Sequence, residues 1–380
     1  MKTKSLFKEF FESEKTGGLL LIFCTLASLV ITNSSLGAGY TGFWQIDFQG
    51  HSIGHWINDG LMAIFFLLIG LELEHEIFKG ELSNFRNSLP ALFGAIGGIL
   101  LPAAIYIAFN YDGPYISGAG IPMATDIAFA LAVLSLLGNR VPLALKVFLT
   151  ALAVIDDLGA ILIIAIFYTK TLYLTNLLIA IGIFAVLIVL NRLKIKNLIP
   201  YLIGGVAMWY FMLNSGVHAT ITGVLLAFAI PFGDGGESSS SYKLQHFLHI
   251  PVAFIILPIF ALANTAIVLN GELSEIISQP YSIGIAAGLI IGKPLGIFLL
   301  TFIGCKTGLF KLPDGISWSR IIGVGFLAGI GFTMSVFITL LAFEDGLVIN
   351  NSKLVILISS LIAGIIGFLI LKKSLRKSVE

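Results

Sequence analysis

The sequence predicts an all-α, multi-pass membrane protein, and its composition and the length of its apolar segments support this prediction. Of the 380 residues, 57% are hydrophobic and only 11% are charged, whereas charged residues make up about 25% of an ordinary soluble domain. Apolar segments of about 20 residues, the length that an α-helix needs to cross the hydrocarbon layer of a bilayer, recur along the whole chain. The chain is therefore expected to form one integral membrane domain, residues 1–380, in contact with lipid.

Twelve segments are candidates for membrane spans. Their bounds follow from the apolar runs and from the polar, glycine- or proline-containing residues between them. The seventh and eighth spans are short and are separated only by Asn214, Ser215 and Gly216, so this division is the least well defined. The predicted spans are residues 16–32, 56–78, 89–109, 116–137, 141–168, 174–190, 198–213, 217–230, 247–269, 283–302, 321–342 and 354–371.

The basic residues are concentrated on one side of these spans. If the N-terminus is cytoplasmic, 19 of the 22 Lys and Arg residues fall on the cytoplasmic side. Only Lys170 and Lys353 fall on the other side, and Lys293 lies inside the tenth span. Because cytoplasmic loops of membrane proteins carry the positive excess, both termini are expected in the cytoplasm.

Three polar segments lie outside the spans. Residues 1–15 form a cytoplasmic N-terminal segment, and residues 33–55 form an extracytoplasmic loop. Within that loop, apolar and polar residues alternate between Phe43 and His51, which favours a small hairpin. Residues 233–243 are rich in Gly and Ser and are typical of a flexible cytoplasmic linker.

Charge and cysteine content exclude several classes of partner. A net charge of +1 leaves no basic face for a nucleic acid. Cys24 and Cys305 have no CxxC spacing, so a disulfide framework or a zinc site is not expected. No cofactor and no soluble protein partner are implied by the sequence.

Four ionisable side chains are predicted at mid-bilayer depth: Asp126 in the fourth span, Asp156 and Asp157 in the fifth, and Lys293 in the tenth. A charge at that depth costs about 2.5–3.5 kcal/mol on insertion scales, so its presence indicates a partner or a pathway. Adjacent helical residues point about 100° apart. One of the two neighbouring aspartates can therefore pair with Lys293 while the other faces a water-filled cavity. A structural ion pair with one tolerated aspartate is the alternative.

The carboxylate oxygens suggest what the cavity binds. Hard oxygen ligands suit Na⁺, Li⁺ or H⁺, and no nitrogen or sulfur ligand is predicted at the same depth. A carboxylate that binds either Na⁺ or H⁺, but not both, is sufficient to couple the fluxes of the two ions. Asp156 and Asp157 are the predicted Na⁺ ligands.

Two spans contain residues that interrupt a helix. Pro122 precedes Asp126 in the fourth span and removes a helical donor, and Gly329 and Gly331 lie at the midpoint of the eleventh, just before Thr333. Interrupted helices in corresponding positions of two halves indicate a transporter binding site. Spans 3–5 and 10–12 would then form an inverted repeat. In the broken helices, Asp126 would compensate a partly positive N-terminus and Lys293 a partly negative C-terminus. Glycines that serve packing alone are the alternative for the eleventh span.

A second polar cluster lies at the cytoplasmic end of the second span and includes Glu72 and Glu76. Together with His246 and His249, which follow the linker, it is a candidate cytoplasmic ion funnel or pH-responsive patch, since His titrates near neutrality. The alternative is an ordinary solvated helix end.

Several motifs together resemble the NhaA family of bacterial Na⁺/H⁺ antiporters, and the resemblance covers essentially the whole chain. ATD at 124–126, IDDLGA at 155–160 and GKPLG at 292–296 are the most specific of them. The others are WINDGLMAIFFLLIGLE at 56–72, SGVHATITG at 215–223 and GIGFTMS at 329–335.

The resemblance implies a twelve-helix antiporter of the bacterial inner membrane, with crossed, interrupted helices four and eleven, that exports Na⁺ or Li⁺ against H⁺ entry. Asp157 and Asp156 would bind the ion, Lys293 would pair with Asp156, and Thr125 and Asp126 would belong to the interrupted-helix assembly. It further implies electrogenic exchange, sodium and pH homeostasis, and a homodimer formed partly through a hairpin such as 43–51.

The departures from the family pattern lie in the pH-responsive region. Glu74 and His75 stand where basic residues are expected, and Gln245 stands where an acid is expected before His246. We hypothesise that the coupling chemistry is kept and that the pH range of activation is shifted.

Two other functions compete with antiport. A proton-coupled transporter of another solute would favour a wider cavity with aromatic or Arg contacts, and the core spans offer small residues. An intramembrane protease is disfavoured because Tyr111-Asp112 has no accompanying GxGD, and because Lys79 stands where an HExxH site that began at His75 would need its second histidine.

Overall fold

A computed structural model describes residues 2–169, 172–269, 272–313 and 315–376, except for the side chains of residues 2–14, 81, 85, 86 and 139. Lys170, one of the two basic residues predicted on the outer side, lies outside the described residues, and so do the side chains of most of the N-terminal segment 1–15. The described chain is mostly helical, as the sequence predicts for a membrane protein.

Eighteen α-helices follow one another in the described residues. They are α1 (Lys2–Thr32), α2 (Gly37–Trp44), α3 (Ile53–Trp56), α4 (Met62–Phe78), α5 (Phe85–Asn110), α6 (Ile127–Ser135), α7 (Leu143–Phe167), α8 (Leu174–Arg192), α9 (Ile199–Leu213), α10 (Ile221–Ala229), α11 (Ser240–Pro251), α12 (Leu257–Asn264), α13 (Leu273–Ser278), α14 (Pro280–Ala287), α15 (Lys293–Lys306), α16 (Trp318–Ala328), α17 (Phe332–Ala342) and α18 (Gly346–Arg376).

Shorter helical turns connect some of these helices. Single π-helical turns at Ile57–Leu61, Val252–Ile256 and Gly288–Gly292 join α3 to α4, α11 to α12 and α14 to α15 into three longer helical segments. Three 3₁₀ segments lie at Glu81–Ser83, Ile116–Met123 and Gly138–Arg140.

Helices that can cross a membrane make up most of the chain. Within the described residues, eight helical segments are long and apolar enough, or nine if the bent pair α16 and α17 forms one span. Each of the twelve predicted spans coincides with helical structure. Three of the twelve are not among these eight or nine segments: the second, which contains α4 with 17 residues, the seventh, which contains α9 with 15, and the eighth, which contains α10 with 9. The chain is thus an all-α multi-pass membrane protein, and the number twelve stays a prediction.

The loop at residues 33–55 contains a two-stranded ladder. Strand β1 (Asp47–Phe48) pairs antiparallel with β2 (His51–Ser52). Gln49 and Gly50 make the turn with φ angles of 56° and 84°, the left-handed conformation that tight two-residue hairpin turns require. The Asp47 carboxylate accepts a 2.9 Å hydrogen bond from Gly50 N and stabilises this turn.

The predicted linker 233–243 is shorter in the structure than in the sequence prediction. Helix α11 begins at Ser240, and the hydroxyl of Ser239 caps it by accepting a hydrogen bond from Tyr242 N. The Ser240 hydroxyl donates to the carbonyl of Lys196 (2.7 Å), and that of Ser241 donates to Glu74 Oε2 (3.0 Å). Serine is a favoured N-cap, so the end of this polar run starts a helix and is tied to two other parts of the chain.

Helices α5 and α15 approach most closely at two glycines. A Cβ atom on Gly97 would lie 2.0 Å from the carbonyl oxygen of Gly296, and one on Gly296 would lie 2.1 Å from that of Gly97. Small residues allow such backbone contact between membrane helices. This contact places α15, which begins with Lys293, directly against α5, the third predicted span.

Candidate functional site

The two predicted helix interruptions are present. In the fourth span, the 3₁₀ segment Ile116–Met123 ends before three non-helical residues, and α6 begins at Ile127. In the eleventh, α16 and α17 are bent by 47° across Gly329–Gly331. Pro122 lacks a backbone donor. A Cβ atom on Gly331 would lie 2.1 Å from the Ser335 hydroxyl, so glycine is required there by close packing.

The two interruptions cross and satisfy each other's backbone groups. Asp126 N donates to the carbonyl of Ile330 at 2.7 Å. The Thr125 hydroxyl lies 2.9 Å from the carbonyl oxygen of Ala328, at the end of α16. In return, the Ser335 hydroxyl of α17 donates to the carbonyl of Ile121 at 2.7 Å. A backbone polar group without a hydrogen bond is energetically costly inside a membrane. The groups that each break leaves free are therefore hydrogen-bonded to the other interrupted span.

Asp126 holds the N-termini of two helices. Its Oδ1 accepts from Phe129 N (2.9 Å) and so caps α6. Its Oδ2 accepts from both Thr333 N (3.0 Å) and the Thr333 hydroxyl (2.6 Å) in the first turn of α17. A carboxylate is favourable at the partly positive end of a helix. Both Asp126 oxygens are thus engaged in joining the two interrupted spans.

Lys293 is fully buried and is paired with Asp156. Its Nζ lies 2.7 Å from Asp156 Oδ2, and neither side chain is exposed. The same ammonium contacts the carbonyl oxygen of Met123, at the C-terminal end of the 3₁₀ segment. Asp156 Oδ2 also accepts from the Thr125 hydroxyl at 2.7 Å. One cation therefore neutralises a carboxylate and compensates a partly negative helix end.

Asp157 has a different environment from its neighbour. Its side chain is 3% exposed, and within the described part of the chain its Oδ1 has no hydrogen-bond partner. The same holds for Asp156 Oδ1, which faces away from Lys293. Two buried carboxyl oxygens of adjacent residues thus have no hydrogen-bond donor among the residues that the structure describes. That Asp157 faces a water-filled cavity stays a prediction.

The position of Lys293 depends on glycines that the sequence analysis did not single out. A Cβ atom on Gly288 would lie 2.6 Å from Pro122 Cβ, and one on Gly292 would lie 2.9 Å from Pro102 Cα. These glycines begin and end the π-helical turn that precedes Lys293, and such turns are frequent at functional sites. The repeat of Gly288, Gly292 and Gly296 at four-residue intervals is the signal that would have revealed this packing.

The residues of the candidate cytoplasmic cluster lie on two helices that pack together, α4 and α11. Glu72 and Glu76 belong to α4, with the buried Glu74 between them. On α11, His246 is exposed and its ring stacks on Tyr242, whereas His249 is half-buried. The structure therefore brings the two predicted groups to one end of the molecule, and the Glu74–Ser241 hydrogen bond joins their helices.

Comparison with protein families gives one match that spans almost the whole chain. The model of the family described as Na⁺/H⁺ antiporter 1 matches residues 8–371. The matched range includes the interrupted spans, the Asp156–Lys293 pair and the cytoplasmic cluster.

Curated proteins of several bacteria are similar over their full length. A Na⁺/H⁺ antiporter NhaA of Flavobacterium psychrophilum is 68% identical over 379 residues, which cover 100% of this chain and 99% of that protein. Na⁺/H⁺ antiporter NhaA 1 of Flavobacterium johnsoniae is 62% identical over 372 residues, 98% of each chain. The NhaA of Cytophaga hutchinsonii is 58% identical over 380 residues, 100% of this chain and 98% of that protein.

Proposed function

The chain belongs to the Na⁺/H⁺ antiporter 1 family, and from this premise we propose that it is a secondary active antiporter that exports Na⁺ in exchange for H⁺. The names of the similar proteins and the charged centre of the membrane domain support the same function. The protein is a transporter and not an enzyme, and Na⁺ and H⁺ are its cargo.

The observation that carries the proposal is the state of the Asp157 carboxylate. It is buried, and its Oδ1 has no hydrogen-bond donor within the described residues. A buried anionic oxygen without a donor is costly unless a cation or a proton binds it. A carboxylate that takes a sodium ion in one state and a proton in another exchanges the two, because each must leave before the other enters.

Asp156 supplies the second carboxylate of the proposed ion site. Its Oδ1 is also without a donor among the described residues, while its Oδ2 is held by Lys293 and Thr125. Na⁺ and Li⁺ both prefer such hard oxygen ligands. In the proposed cycle, Asp157 and Asp156 release protons to the cytoplasm, take up Na⁺ and exchange it for H⁺ on the outer side as the interrupted helices reorient.

The proposed architecture is twelve spans with inverted repeats in spans 3–5 and 10–12. The reciprocal contact of Gly97 and Gly296, which joins spans three and ten, supports it. The crossing of spans four and eleven supports it too, since each span donates to a carbonyl of the other: Asp126 N to the carbonyl of Ile330, and the Ser335 hydroxyl to the carbonyl of Ile121. Contacts of this reciprocal kind are expected between elements related by a two-fold axis.

The proposed location is the bacterial plasma (inner) membrane, with both termini in the cytoplasm. The excess of Lys and Arg on one side of the predicted spans supports this orientation. The outer side then carries the β1–β2 hairpin, Asp59 and Lys353, and the cytoplasmic side carries Glu72, Glu76, His246 and His249.

We further propose that exchange is electrogenic and that the protein forms a homodimer. Two carboxylates that each take a proton would return two positive charges for one Na⁺ exported, so the membrane potential would drive the exchange. Self-association is supported by the exposed apolar side chains around the hairpin: Phe43, Ile46 and Phe48 are 48%, 52% and 59% exposed. Apolar surface outside the bilayer core commonly marks an interface.

The exchange itself is tested with Asp157→Asn. In everted vesicles, addition of Na⁺ is expected to collapse a dye-reported pH gradient for the wild-type protein and to have no effect for Asp157→Asn. An amide is similar in size to the carboxylate but is neutral. It has no titratable proton, so Na⁺ and H⁺ cannot replace each other on it. Adding Li⁺ and K⁺ in separate runs measures selectivity.

Asp112→Asn is the matched control, because Asp112 is exposed in an outer loop. It is expected to exchange at the wild-type rate. Both variants are compared by size-exclusion chromatography to establish that they fold. Sodium-dependent exchange in folded Asp157→Asn would refute the proposed role of this carboxylate, and no response of the wild type to Na⁺ would refute the function.

A further inference from the structure

A second polar site lies apart from the Asp156–Asp157 centre, in a cavity of about 990 Å³. We call it the outer cavity, because its lining comes from the ends of helices that the charge distribution places outside the cytoplasm. Its polar lining includes His55, Asp59, His218, Asn264 and Lys353. Leu340 and Leu341 of α17 line it as well, so the cavity adjoins the helix whose first turn is held by Asp126.

The acidic group of the outer cavity is already paired. Asp59 Oδ2 lies 3.1 Å from His55 Nε2, and the His55 ring stacks on His51 with 4.3 Å between the ring centroids. On another wall, His218 Nε2 lies 2.8 Å from the carbonyl oxygen of Tyr168. These contacts give Asp59 a local partner in His55, and the two form an ion pair when the imidazole is protonated.

The basic group of the outer cavity has no acidic partner. Lys353 Nζ lies 3.4 Å from Asn264 Oδ1, and Asn264 Nδ2 in turn donates to Asn58 Oδ1 at 2.7 Å. In the part of the chain that the structure describes, no carboxylate lies within 4.0 Å of this ammonium. Lys293 presents the opposite case, since its ammonium is paired with Asp156. The outer cavity therefore contains an ammonium group that is not part of an ion pair within the described residues.

A fixed charge in a cleft with low-dielectric walls changes the local concentration of ions. A positive charge lowers the occupancy of cations near it, and salt screens a partly buried charge less than an exposed one. For an exporter, this favours the departure of Na⁺ through the cavity and opposes its return. The same field acts on an entering proton. It therefore lowers the occupancy of the cavity by all cations that enter from the outer side, and it does not change the selectivity for Na⁺ over H⁺.

We propose that Lys353 is a specificity-determining residue for direction: its ammonium raises the KM for Na⁺ that enters from the outer face and so disfavours reverse exchange. This inference rests on the proposed antiport and on the proposed orientation. Lys353 does not touch the reacting carboxylates, and its effect is on access to them.

The test is Lys353→Gln, which keeps a polar side chain and removes the charge. The KM for Na⁺ is measured from each face, with right-side-out vesicles for the outer face and everted vesicles for the cytoplasmic face. We expect the outer-face KM to fall by about three- to tenfold, as Coulomb's law gives for one charge across a partly hydrated cavity. The cytoplasmic-face KM is expected to stay at the wild-type value.

Two control variants separate charge from packing. Lys353→Arg keeps the charge and is expected to behave as wild type on both faces. Lys372→Gln removes a charge from the other end of the same helix, α18, where Lys372 is exposed, and is expected to leave both KM values unchanged. Raising ionic strength with choline chloride should narrow the difference between Lys353→Gln and the wild type, an effect that a purely structural role would not produce.

Asn264→Asp provides a second route to the same result, because it places a carboxylate beside Lys353 without removing the lysine. It too is expected to lower the outer-face KM. This variant serves as the test if Lys353→Gln does not fold. An unchanged outer-face KM in the folded variant, or an equal shift on both faces, overturns the role of Lys353 while leaving antiport intact. A wild-type protein without Na⁺-dependent proton movement overturns the proposed function itself.

Discussion

At the scale of single residues, three buried aspartates differ in which of their oxygens remain available. Asp126 uses both oxygens to hold the first turns of α6 and α17. Asp156 uses one oxygen for Lys293 and Thr125, and its other oxygen has no donor among the described residues. Asp157 Oδ1 has none either. These differences in hydrogen bonding support our proposal that Asp156 and Asp157 bind the ion and that Asp126 has a structural role.

The structural role of Asp126 predicts a loss of stability when Thr333 is changed to Val. The variant keeps the shape of the side chain but removes the hydroxyl that donates to Asp126 Oδ2 at 2.6 Å. A hydrogen bond to a charged group contributes about 1.5–3 kcal/mol. We therefore expect a clearly lower midpoint of thermal unfolding for the protein in detergent.

Thr339→Val is the matched control for this prediction. Thr339 lies in the same helix and is equally buried, but its hydroxyl donates to a neutral acceptor, the carbonyl of Ser335. Its loss is expected to be smaller, since a neutral hydrogen bond contributes about 0.5–1.5 kcal/mol. Equal losses in the two variants would contradict the special role of the Asp126 carboxylate.

The sequence predicted which residues lie close together more completely than it predicted how they pair. Spacing alone left open whether Asp156 or Asp157 pairs with Lys293, because adjacent helical residues point in different directions and either can face a given neighbour. The resemblance to the antiporter family pointed to Asp156, which is the residue that Lys293 contacts. Ser335 and Met123 were missed because a hydroxyl and a carbonyl in an apolar helix have no distinctive pattern.

At the scale of helices, glycine decides how closely neighbouring helices approach. Gly288, Gly292 and Gly296 place the segment around Lys293 directly against the backbones of α5 and the 3₁₀ segment. Since lipid tails are as apolar as leucine, membrane helices associate through close packing and hydrogen bonds. The Asp156–Lys293 pair therefore depends on residues with no side chain at all.

This packing predicts that Gly296→Ala destabilises the protein. A Cβ atom there would lie 2.1 Å from the carbonyl oxygen of Gly97, and a backbone atom cannot move aside as a flexible side chain can. Overpacking of this kind costs about 1–3 kcal/mol or more. The loss is measured as a lower thermal midpoint and lower yield of folded protein.

Gly182→Ala is the control for that experiment. Gly182 lies within α8, and a Cβ atom there would meet nothing within 4 Å. Alanine has the higher helix propensity by about 0.5–1 kcal/mol, so this variant should be as stable as the wild type or slightly more stable. A similar loss in both variants would indicate that glycine flexibility, and not the close approach of two helices, is what matters.

The helices were well predicted where the membrane itself constrains them. Apolar runs of about 20 residues are required for spanning, and each run coincides with helical structure. The least reliable prediction was the linker 233–243, because composition does not distinguish a flexible Ser run from a Ser that caps a helix, as Ser239 does for α11. The π-helical turns were also missed, since they leave no periodic signature.

At the scale of the whole molecule, the charged groups lie in three layers: the buried centre, the outer cavity, and the cytoplasmic cluster on α4 and α11. In the cytoplasmic layer, Glu74 is buried and accepts a hydrogen bond from Ser241. His75 and Gln245 also depart from the family pattern. Glu74, His75 and Gln245 take no part in the hydrogen bonds and the ion pair described for Asp156 and Lys293, so we expect them to change the response to pH and not the exchange chemistry.

A double variant, His75→Arg with Gln245→Glu, tests this separation. A permanent positive charge among the glutamates of α4, together with a new carboxylate beside His246, changes the electrostatics that the titrating groups experience. We expect the pH of half-maximal activity to move by about 0.5 unit or more, since one unit corresponds to only 1.36 kcal/mol. Vesicle assays between about pH 6.5 and pH 9 measure it, across the range in which histidine titrates.

The maximal rate of the double variant is the internal control and should stay close to that of the wild type. An unchanged profile would contradict the assignment of pH response to this cluster. A lost maximal rate with an unchanged profile would show instead that the two positions support the exchange itself.

The contact between Gly97 and Gly296 has a mechanical consequence. Two helices whose backbones touch at one point cannot slide past each other there, because a carbonyl oxygen would strike a Cα atom, yet they remain able to swing about it. Gly296 lies less than one helical turn from Lys293. A rocking movement with its fulcrum at these glycines would displace the loops on either side by the largest distances and leave the Asp156–Lys293 pair nearly still.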